Sequence, residues 1–233
     1  MTTKEKLLTL FEKNKGVYFS GEEIADKLSV SRTAVWKAVN SLRKEGYKIH
    51  AAQNKGYCLA ADTDILSVQG IQKYLESSCS QIKLTVLPAA TSTNALLREK
   101  AAAGAPEGCV LIGINVYPPE NGFPEELKNI AGAVFSEAMG DGKNRLAAAF
   151  LNCFMALCQS LEDSSYIQEY RERSFLIGRE ILVLLPEGTK KASALDVDGE
   201  CRLIVRYKDG TVAALDSGEV RVQERKHLHT PTE

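Results

Sequence analysis

Three short helices follow one another closely at the N-terminus, and this spacing admits few folds. The first helix ends near Gly16, the second begins at a capping box formed by Ser20 and Glu23, and the third runs from Ser31 to a stop at Gly46. Their apolar positions recur at helical spacing: Leu7, Leu8, Leu10, Phe11, Ile24, Ala25, Leu28. Because only a tight turn joins the second and third helices, the pattern predicts a helix-turn-helix.

A pair of short strands is predicted directly after the third helix. Residues 47–50 alternate between apolar and polar side chains, Asn54-Lys55-Gly56 is typical of a tight turn, and residues 57–59 can return as the partner strand. Three helices followed by a hairpin predict a winged helix-turn-helix.

The distribution of charge supports a nucleic-acid role for this segment. The whole chain has a formal net charge of -1, but residues 1–60 hold 11 Lys+Arg against 6 Asp+Glu, and residues 61–233 hold 18 against 24. A net charge of +5 joined to one of -6 is typical of a basic module attached to another domain.

The apolar share of 44% and the charged share of 25% exclude a disordered, collagen-like or membrane-embedded chain.

The third helix divides into an apolar and a polar face. At about 100° per residue, Val35, Ala38, Val39 and Leu42 share the face that packs inward. The polar face and the helix N-terminus supply donors that suit base edges, so we expect Arg32, Thr33 and Lys37 to contact bases. The candidates for phosphate contacts are Ser31, Lys44 and the wing-tip Lys55. The alternatives are a solvated helix face or a winged helix used for protein contacts. We expect Trp36, at the flank, to pack beside the wing.

The middle of the chain predicts a mixture of helices and strands. Helices are expected at 67–75, 95–103, 124–140, 143–161 and 166–175, and strands at 82–87 and 109–112. The fourth of these helices is apolar enough to be largely buried. Ser92, Thr93 and Asn94 form a polar cluster that can either cap the helix after it or hold a polar ligand.

From Glu180 onward the pattern changes to strands. Turn signals at 187–188, 198–199, 209–210 and 217–218 separate alternating runs, which predicts a small β-barrel or sandwich. The fold class expected for the whole chain is therefore α+β.

The cysteines and the N-terminus indicate a cytoplasmic protein. Six cysteines occur without Cys-x-x-Cys pairs or histidines at zinc-ligand spacing, so we expect buried thiols in a reducing compartment and no metal site. The N-terminus lacks an apolar signal core, and the longest apolar run, 147–158, is too short to span a bilayer. Phosphate-binding, dinucleotide-binding and esterase motifs are absent.

Several segments together resemble the bifunctional biotin operon repressors that are also biotin–protein ligases. The segment 31–37, with Gly46-Tyr47 and 54–57 beyond it, is similar to that family's winged helix. Ser92-Thr93-Asn94 matches its Ser-Thr-Asn motif, and 113–116 matches its Gly-Ile-Asn strand. Further similar segments are 123–127, 144–146, 170–173 and 217–220. The resemblance implies that Ser92, Thr93 and Asn94 are remnants of a biotin pocket and Asn115 of a nucleotide site, with biotin, ATP and Mg²⁺ as the family's ligands.

The chain departs from the family between these motifs. Only 20 residues separate Asn94 from Asn115, whereas the family has a long stretch there with a Gly/Arg-rich loop and a Lys-Trp-Pro-Asn segment. Such a ligase joins biotin to the α-phosphate of ATP and then to a carrier-protein lysine, so its catalysis rests on positioning and on phosphate clamps. Residues 95–114 retain only Arg98 and Lys100, so we expect little or no ligase activity and no catalytic residue.

These observations divide the chain into a winged helix (1–61), a truncated ligase-like α/β domain (62–178) and a C-terminal SH3-like β-barrel (179–233). The first hypothesis is a biotin-operon-type repressor with a degenerate ligase domain, bound to a double-stranded DNA operator as a homodimer. The second is a working biotin–protein ligase, with the biotin carboxyl carrier protein as its partner. The third is a non-functional product of an internal deletion.

Overall fold

The computed structural model describes residues 1–89, 92–106, 108–129, 131–160, 164–185, 188–215 and 219–222. These residues form two compact units, Met1–Met155 and Ala156–Glu233, and their mixture of helices and antiparallel strands confirms the α+β class. The α-helices are α1 (Thr3–Lys13), α2 (Gly21–Leu28), α3 (Arg32–Lys44), α4 (Val68–Gln72), α5 (Thr93–Ala102), α6 (Gly142–Gln159) and α7 (Ser165–Arg173). The strands are β1 (Ile49–Ala52), β2 (Gly56–Leu59), β3 (Glu180–Leu185), β4 (Gly188–Val197), β5 (Leu203–Tyr207), β6 (Val212–Leu215) and β7 (Glu219–Val222). The division into three domains at 61 and 178 remains a prediction.

The first three helices pack around one apolar core, as their sequence pattern predicts. Each helix begins at a hydroxyl side chain that accepts a hydrogen bond from a backbone amide: Thr2 for α1, Ser20 for α2 and Ser31 for α3. The core of this winged helix is Leu7, Leu8, Phe11, Phe19, Ile24, Ala25, Val35, Ala38, Val39, Leu42, Tyr47, Ile49 and Leu59. The inner face predicted for α3 is thereby confirmed.

The predicted wing is an antiparallel hairpin of β1 and β2, in a register that pairs Ile49 with Leu59. A third segment joins it, because the amide of Phe19 donates to the carbonyl of Tyr57 at 2.9 Å and the reverse bond measures 2.8 Å. The turn needs left-handed backbone at Asn54 and Gly56. A Cβ on Gly56 would lie 2.1 Å from the carbonyl oxygen of Phe19, so only glycine allows this approach.

A buried cluster of charged side chains joins α1 to α4 and to the start of α6. Lys15 Nζ lies 2.9 Å from Asp141 Oδ1 and 3.3 Å from Glu12 Oε2. Lys73 Nζ lies 2.8 Å from Glu12 Oε2 and 2.5 Å from Asp141 Oδ2. At most 13% of any of these four side chains is exposed. Two lysines thus balance two carboxylates away from solvent, which is the arrangement that a buried charge requires.

Asn144 extends this charge cluster through its side-chain amide. Its Nδ2 donates to Asp141 Oδ1 at 2.8 Å and to the carbonyl of Ile65 at 2.9 Å, and its Oδ1 accepts from the amide of Ser67 at 3.0 Å. A Cβ on Gly70 would lie 2.5 Å from this amide, so α4 packs directly against it. The winged helix is therefore fastened to α4 and α6 through specific polar contacts.

The segment between α4 and α6 differs from the expectation. The predicted strands at 82–87 and 109–112 do not form, and the helix expected from Pro124 to Gly140 is a single 3-10 turn, Glu125–Leu127. In the described part of this segment, the amides of Val134 and Phe135 donate to the carbonyls of Asn115 and Val116 without forming a ladder. Extended segments become strands only when a neighbouring strand accepts their hydrogen bonds, and the described residues offer none here.

The long apolar helix exists, but the expectation that it is largely buried is wrong. α6 spans Gly142–Gln159, and only Gly142, Asn144 and Ala148 are buried in it. Phe150, Phe154 and Leu157 are exposed, and the two phenylalanine rings stack with centroids 6.0 Å apart. In the described part of the chain these side chains are left uncovered, and the strands expected in the preceding segment do not form.

The expectation of buried cysteines is correct for two residues and wrong for four. Cys58 lies in the wing and Cys79 near the end of a 3-10 turn, and both are buried. Cys109, Cys153, Cys158 and Cys201 are exposed. The reason is local: the strand expected around Cys109 is absent, and Cys153 and Cys158 lie on the uncovered face of α6.

The C-terminal unit contains the predicted antiparallel strands in the order β6-β5-β4-β3-β7. Alternate residues of the central strands form its core: Ile181, Val183, Ala192, Ala194 and Val205. The predicted turns at 198–199 and 209–210 lie between strands, whereas 187 and 217–218 fall outside the described residues. Closure of the sheet into a barrel remains a prediction.

Among the residues that the structure describes, no helix is long and apolar enough to cross a membrane.

Candidate nucleic-acid interface

The outer face of α3 carries the side chains predicted to bind DNA. Ser31, Arg32, Thr33, Lys37 and Lys44 are all exposed. The hydroxyl of Ser31 accepts a hydrogen bond from the amide of Ala34 at 3.2 Å, which leaves its proton free to be donated to a ligand. The structure therefore brings these five predicted residues onto one accessible helix.

An open groove of about 790 Å³ separates α3 from the wing. Its walls are the N-terminus of α2, the first turns of α3 and the hairpin tip. The lining residues are Ser20, Gly21, Arg32, Thr33, Trp36, Ala51, Ala52, Gln53, Asn54, Gly56 and Tyr57. We call it the wing groove. Lys55 does not line it, although this lysine is exposed at the adjacent hairpin tip.

A second open groove, of about 640 Å³, follows the rest of α3. We call it the helix groove, and it is lined by Trp36, Lys37, Asn40, Ser41, Arg43 and Lys44. Arg43 has a structural role, because its guanidinium donates to the carbonyl of Ile49 at 2.7 and 3.0 Å and so holds β1 to α3.

Trp36 lines both grooves, and its placement differs from the expectation. The residue is 57% exposed, which is more than the predicted packing beside the wing would leave. The hairpin residues that line the wing groove with it include two small ones, Ala51 and Ala52.

The cations of this face are available to a ligand. Elsewhere on the winged helix, ion pairs join Lys4 to Glu45, Lys27 to Glu23 and Lys48 to Asp62, whereas Lys6 and Lys13 of α1 are exposed and form none with the described residues. In the described part of the chain, Arg32, Lys37, Lys44 and Lys55 have no carboxylate within ion-pair distance. Four exposed cations without a carboxylate partner thus lie on α3 and at the wing tip, where they can bind a polyanion.

The segments that resemble biotin-site motifs are partly brought together. The Ser92 hydroxyl accepts from the amide of Ala95 at 3.3 Å, so this serine caps α5, the capping alternative that the sequence leaves open. The Thr93 methyl group would lie 3.2 Å from a Cβ on Gly113. Asn94 and Asn115 are exposed, and Asn115 Nδ2 donates to the carbonyl of Gly132 at 3.4 Å.

These residues do not fit ATP and Mg²⁺. α5 has no buried residue, although a small-molecule site encloses most of its ligand. The cations of the intervening segment, Arg98 and Lys100, both lie on α5. The described residues also contain no cluster of three side chains able to hold a metal ion. We derive no catalytic step through these groups.

Nothing in the sequence indicated the buried charge cluster, or an exposed tryptophan in the interface. Within this cluster Lys15 and Asp141 lie 126 residues apart along the chain, so no local pattern could connect them. The position of Trp36 at the flank of α3 is visible in the sequence, whereas its exposure is not.

Two family models match the chain, at its two ends. Residues 3–58 match the HTH domain, and residues 176–222 match the Biotin protein ligase C terminal domain. The first range coincides with the winged helix, and the second with the strands of the C-terminal unit.

The curated proteins to which the chain is similar include bifunctional ligase/repressors. The bifunctional ligase/repressor BirA of Bacillus subtilis is 36% identical over 111 residues, which cover 48% of this chain and 34% of that protein. BirA of Escherichia coli is 30% identical over 99 residues, or 42% of this chain and 29% of that protein. The chain thus spans about a third of the length of the curated relatives it matches.

Among solved structures, the biotin protein ligase from Aquifex aeolicus in complex with biotin and ATP aligns with a TM-score of 0.37 and 13% identity, over 47% of this chain and 48% of that one. That score is too low to establish a shared fold. The two matched domains and the curated relatives together support the resemblance of this chain to the bifunctional biotin repressors and biotin–protein ligases.

Proposed function

We propose that this chain is a DNA-binding regulator of the biotin-operon-repressor type, acting in the cytoplasm as a homodimer, with a degenerate ligase part. The observation that carries the proposal is the outer face of α3, where exposed cations without carboxylate partners lie on a winged helix. The match of residues 3–58 to the HTH domain and the repressor function in the names of the relatives support it.

The individual roles follow from position on α3. Arg32, Thr33 and Lys37 lie at the N-terminal half of the helix, the part that reaches base edges in helix-turn-helix proteins. Ser31, Lys44 and Lys55 lie at its ends and on the wing tip, from which they reach phosphates. A homodimer is expected because such modules read paired half-sites.

The proposal that the ligase part is degenerate is supported by chemistry. Phosphate activation needs positioned cations, and the segment between Asn94 and Asn115 offers Arg98 and Lys100 on a helix without buried residues. Ser92, Thr93, Asn94 and Asn115 are then remnants of biotin and nucleotide sites. The uncovered face of α6 is what a missing central sheet would leave behind.

Binding to duplexes selected from a random pool tests the regulator. Fluorescence anisotropy at stated salt concentrations should show that Arg32→Ala and Lys37→Ala each weaken binding by about tenfold or more. Lys44→Ala and Lys55→Ala should weaken binding to all sequences and lower the salt slope by about 0.9 each. Lys6→Ala, an exposed lysine of α1 outside both grooves, is the matched control and should bind as the wild type does. The proposal fails if no duplex is preferred over random DNA.

Biotinylation of a carrier protein with ATP and Mg²⁺ tests the degenerate ligase. We expect no turnover above the reaction without protein, because the phosphate clamp is missing. Turnover near that of a complete ligase assayed in parallel would show that the ligase part is intact.

A further inference from the structure

Trp36 is an exposed aromatic residue in the middle of a basic surface. It is the one tryptophan of the chain, and 57% of the residue is accessible to solvent. Arg32 and Asn40 lie one helical turn before and after it, so the three residues share one side of α3. Leaving so much aromatic surface in water is unfavourable, and a partner that covers it would recover that free energy.

The surroundings of Trp36 specify the partner. It forms the boundary between the wing groove and the helix groove, with Arg32 and Thr33 on one side and Lys37 on the other. An apolar protein surface or a lipid chain would have to desolvate these cations without pairing them. A partner that fits must supply anions around one isolated apolar group.

Duplex DNA has this composition in its major groove. Phosphates line the groove edges, and the 5-methyl group of thymine is the apolar feature on its floor. Ala51 and Ala52 of the wing line the same groove as the indole ring and add apolar surface to it. On a recognition helix, a residue one turn from the N-terminus lies close to the base edges.

We propose that Trp36 determines sequence specificity by packing against the 5-methyl group of a thymine in the major groove. This inference rests on the proposed DNA binding, and it goes beyond it by naming a residue and the base that it reads. Direct hydrogen bonding by Arg32, Thr33 and Lys37 would then be supplemented by one apolar contact.

The single tryptophan makes the contact measurable in the unmodified protein. Titration of the full chain with a selected duplex should shift the Trp36 emission to shorter wavelength and protect it from acrylamide quenching. Random duplex at the same salt concentration should produce a smaller change, because it offers no thymine at a fixed position. Unchanged emission and quenching at saturation with the selected duplex would overturn the proposal.

Removal of the methyl group identifies the base. Each thymine of the selected duplex is replaced in turn by deoxyuridine, which lacks the methyl group but keeps the hydrogen-bonding edge. At one position per half-site, this change should weaken wild-type binding by about fourfold, the value for one buried methyl group. Trp36→Ala should weaken binding to the thymine duplex by roughly tenfold. It should also reduce the deoxyuridine effect to less than about twofold.

Two control variants separate the possible results. Lys37→Ala should weaken binding yet keep the full deoxyuridine effect, and Tyr18→Ala, an exposed aromatic outside both grooves, should change neither quantity. An equal deoxyuridine effect in the wild type and in Trp36→Ala would overturn the methyl contact while leaving DNA binding intact. If the wild type selects no duplex at all, the proposed function itself fails.

Discussion

At Gly56 the absence of a side chain determines the shape of the wing. The backbone there has a φ of +93°, and a Cβ would lie 2.1 Å from the carbonyl oxygen of Phe19. That carbonyl accepts the amide of Tyr57, so it cannot move without breaking the contact between the wing and the segment before α2. The Asn54-Lys55-Gly56 turn thus requires glycine for two reasons: the positive φ at this position and the close approach of the Phe19 carbonyl oxygen.

Gly56→Ala should therefore destabilise the winged helix by about 2–3 kcal/mol. Urea unfolding monitored by circular dichroism measures the change. Gly16→Ala is the matched control, because Gly16 also has positive φ but its Cβ would meet only Ala61 at 3.9 Å. The control should lose about 1 kcal/mol, the cost of the dihedral angle alone. Equal losses in the two variants would show that the contact with Phe19 does not matter.

At the scale of elements, local signals predicted α3 well and predicted α6 only in part. The bounds of α3 follow from Ser31, Gly46 and a clear apolar period, all of which lie within the helix or next to it. The extent of α6 was also predictable, but its burial was not, because burial depends on which other elements cover it. The strands expected at 82–87 and 109–112 fail for the same reason.

The contacts that join α1, α4 and α6 were invisible in the sequence. Asp141 forms ion pairs with both lysines of the charge cluster and accepts hydrogen bonds from Tyr74 and Asn144. Burial raises the pKa of Asp141, but these partners outweigh that effect and lower it to about 2. A carboxylate with so many partners is the centre of the junction among the three helices.

Asp141→Asn should cost about 3–5 kcal/mol, because it leaves two buried lysines with one carboxylate between them. Asparagine tolerates the positive φ of 65° at this position, so the change tests charge and not backbone strain. Asp62→Asn removes the partner of Lys48 in an exposed ion pair and should cost less than about 1 kcal/mol. Chemical denaturation of the two variants provides the comparison, and similar losses would contradict a structural role for the buried cluster.

At the scale of the whole molecule, the charge cluster makes stability depend on pH. A carboxyl group whose pKa is lowered from 3.8 to about 2 stabilises the folded state fully above pH 4, and this stabilisation is lost as the pH falls toward 2. Lys73 makes stability depend on pH at the alkaline end instead. Burial lowers its pKa, but Asp141 and Glu12 raise it further, so its contribution is lost only above pH 10.5.

Unfolding free energies measured between pH 6 and pH 2 should show this dependence. The difference between the wild type and Asp141→Asn should shrink by about 2 kcal/mol over that range, because the wild-type carboxylate becomes protonated. A difference that stays constant with pH would mean that Asp141 is not held ionised by its partners.

The elements of the winged helix and the outer face of α3 were thus accessible from the sequence, since both depend on local periodicity and capping residues. The middle of the chain was not, because its structure depends on partners that local patterns do not specify. Trp36 is intermediate between these cases: its position on the helix was predictable from the sequence, whereas its exposure depends on how the hairpin packs beside α3.

Competition between duplexes tests the central claim most directly. A labelled duplex selected by the protein is bound at about 0.15 M salt and displaced with either the same unlabelled duplex or a random one of equal length. We predict that the random duplex competes at least about a thousandfold less well, the lower end for specific recognition. Equal competition by the two duplexes would show that the basic face of α3 binds phosphates without reading sequence, and it would contradict the account of this chain as an operator-binding regulator.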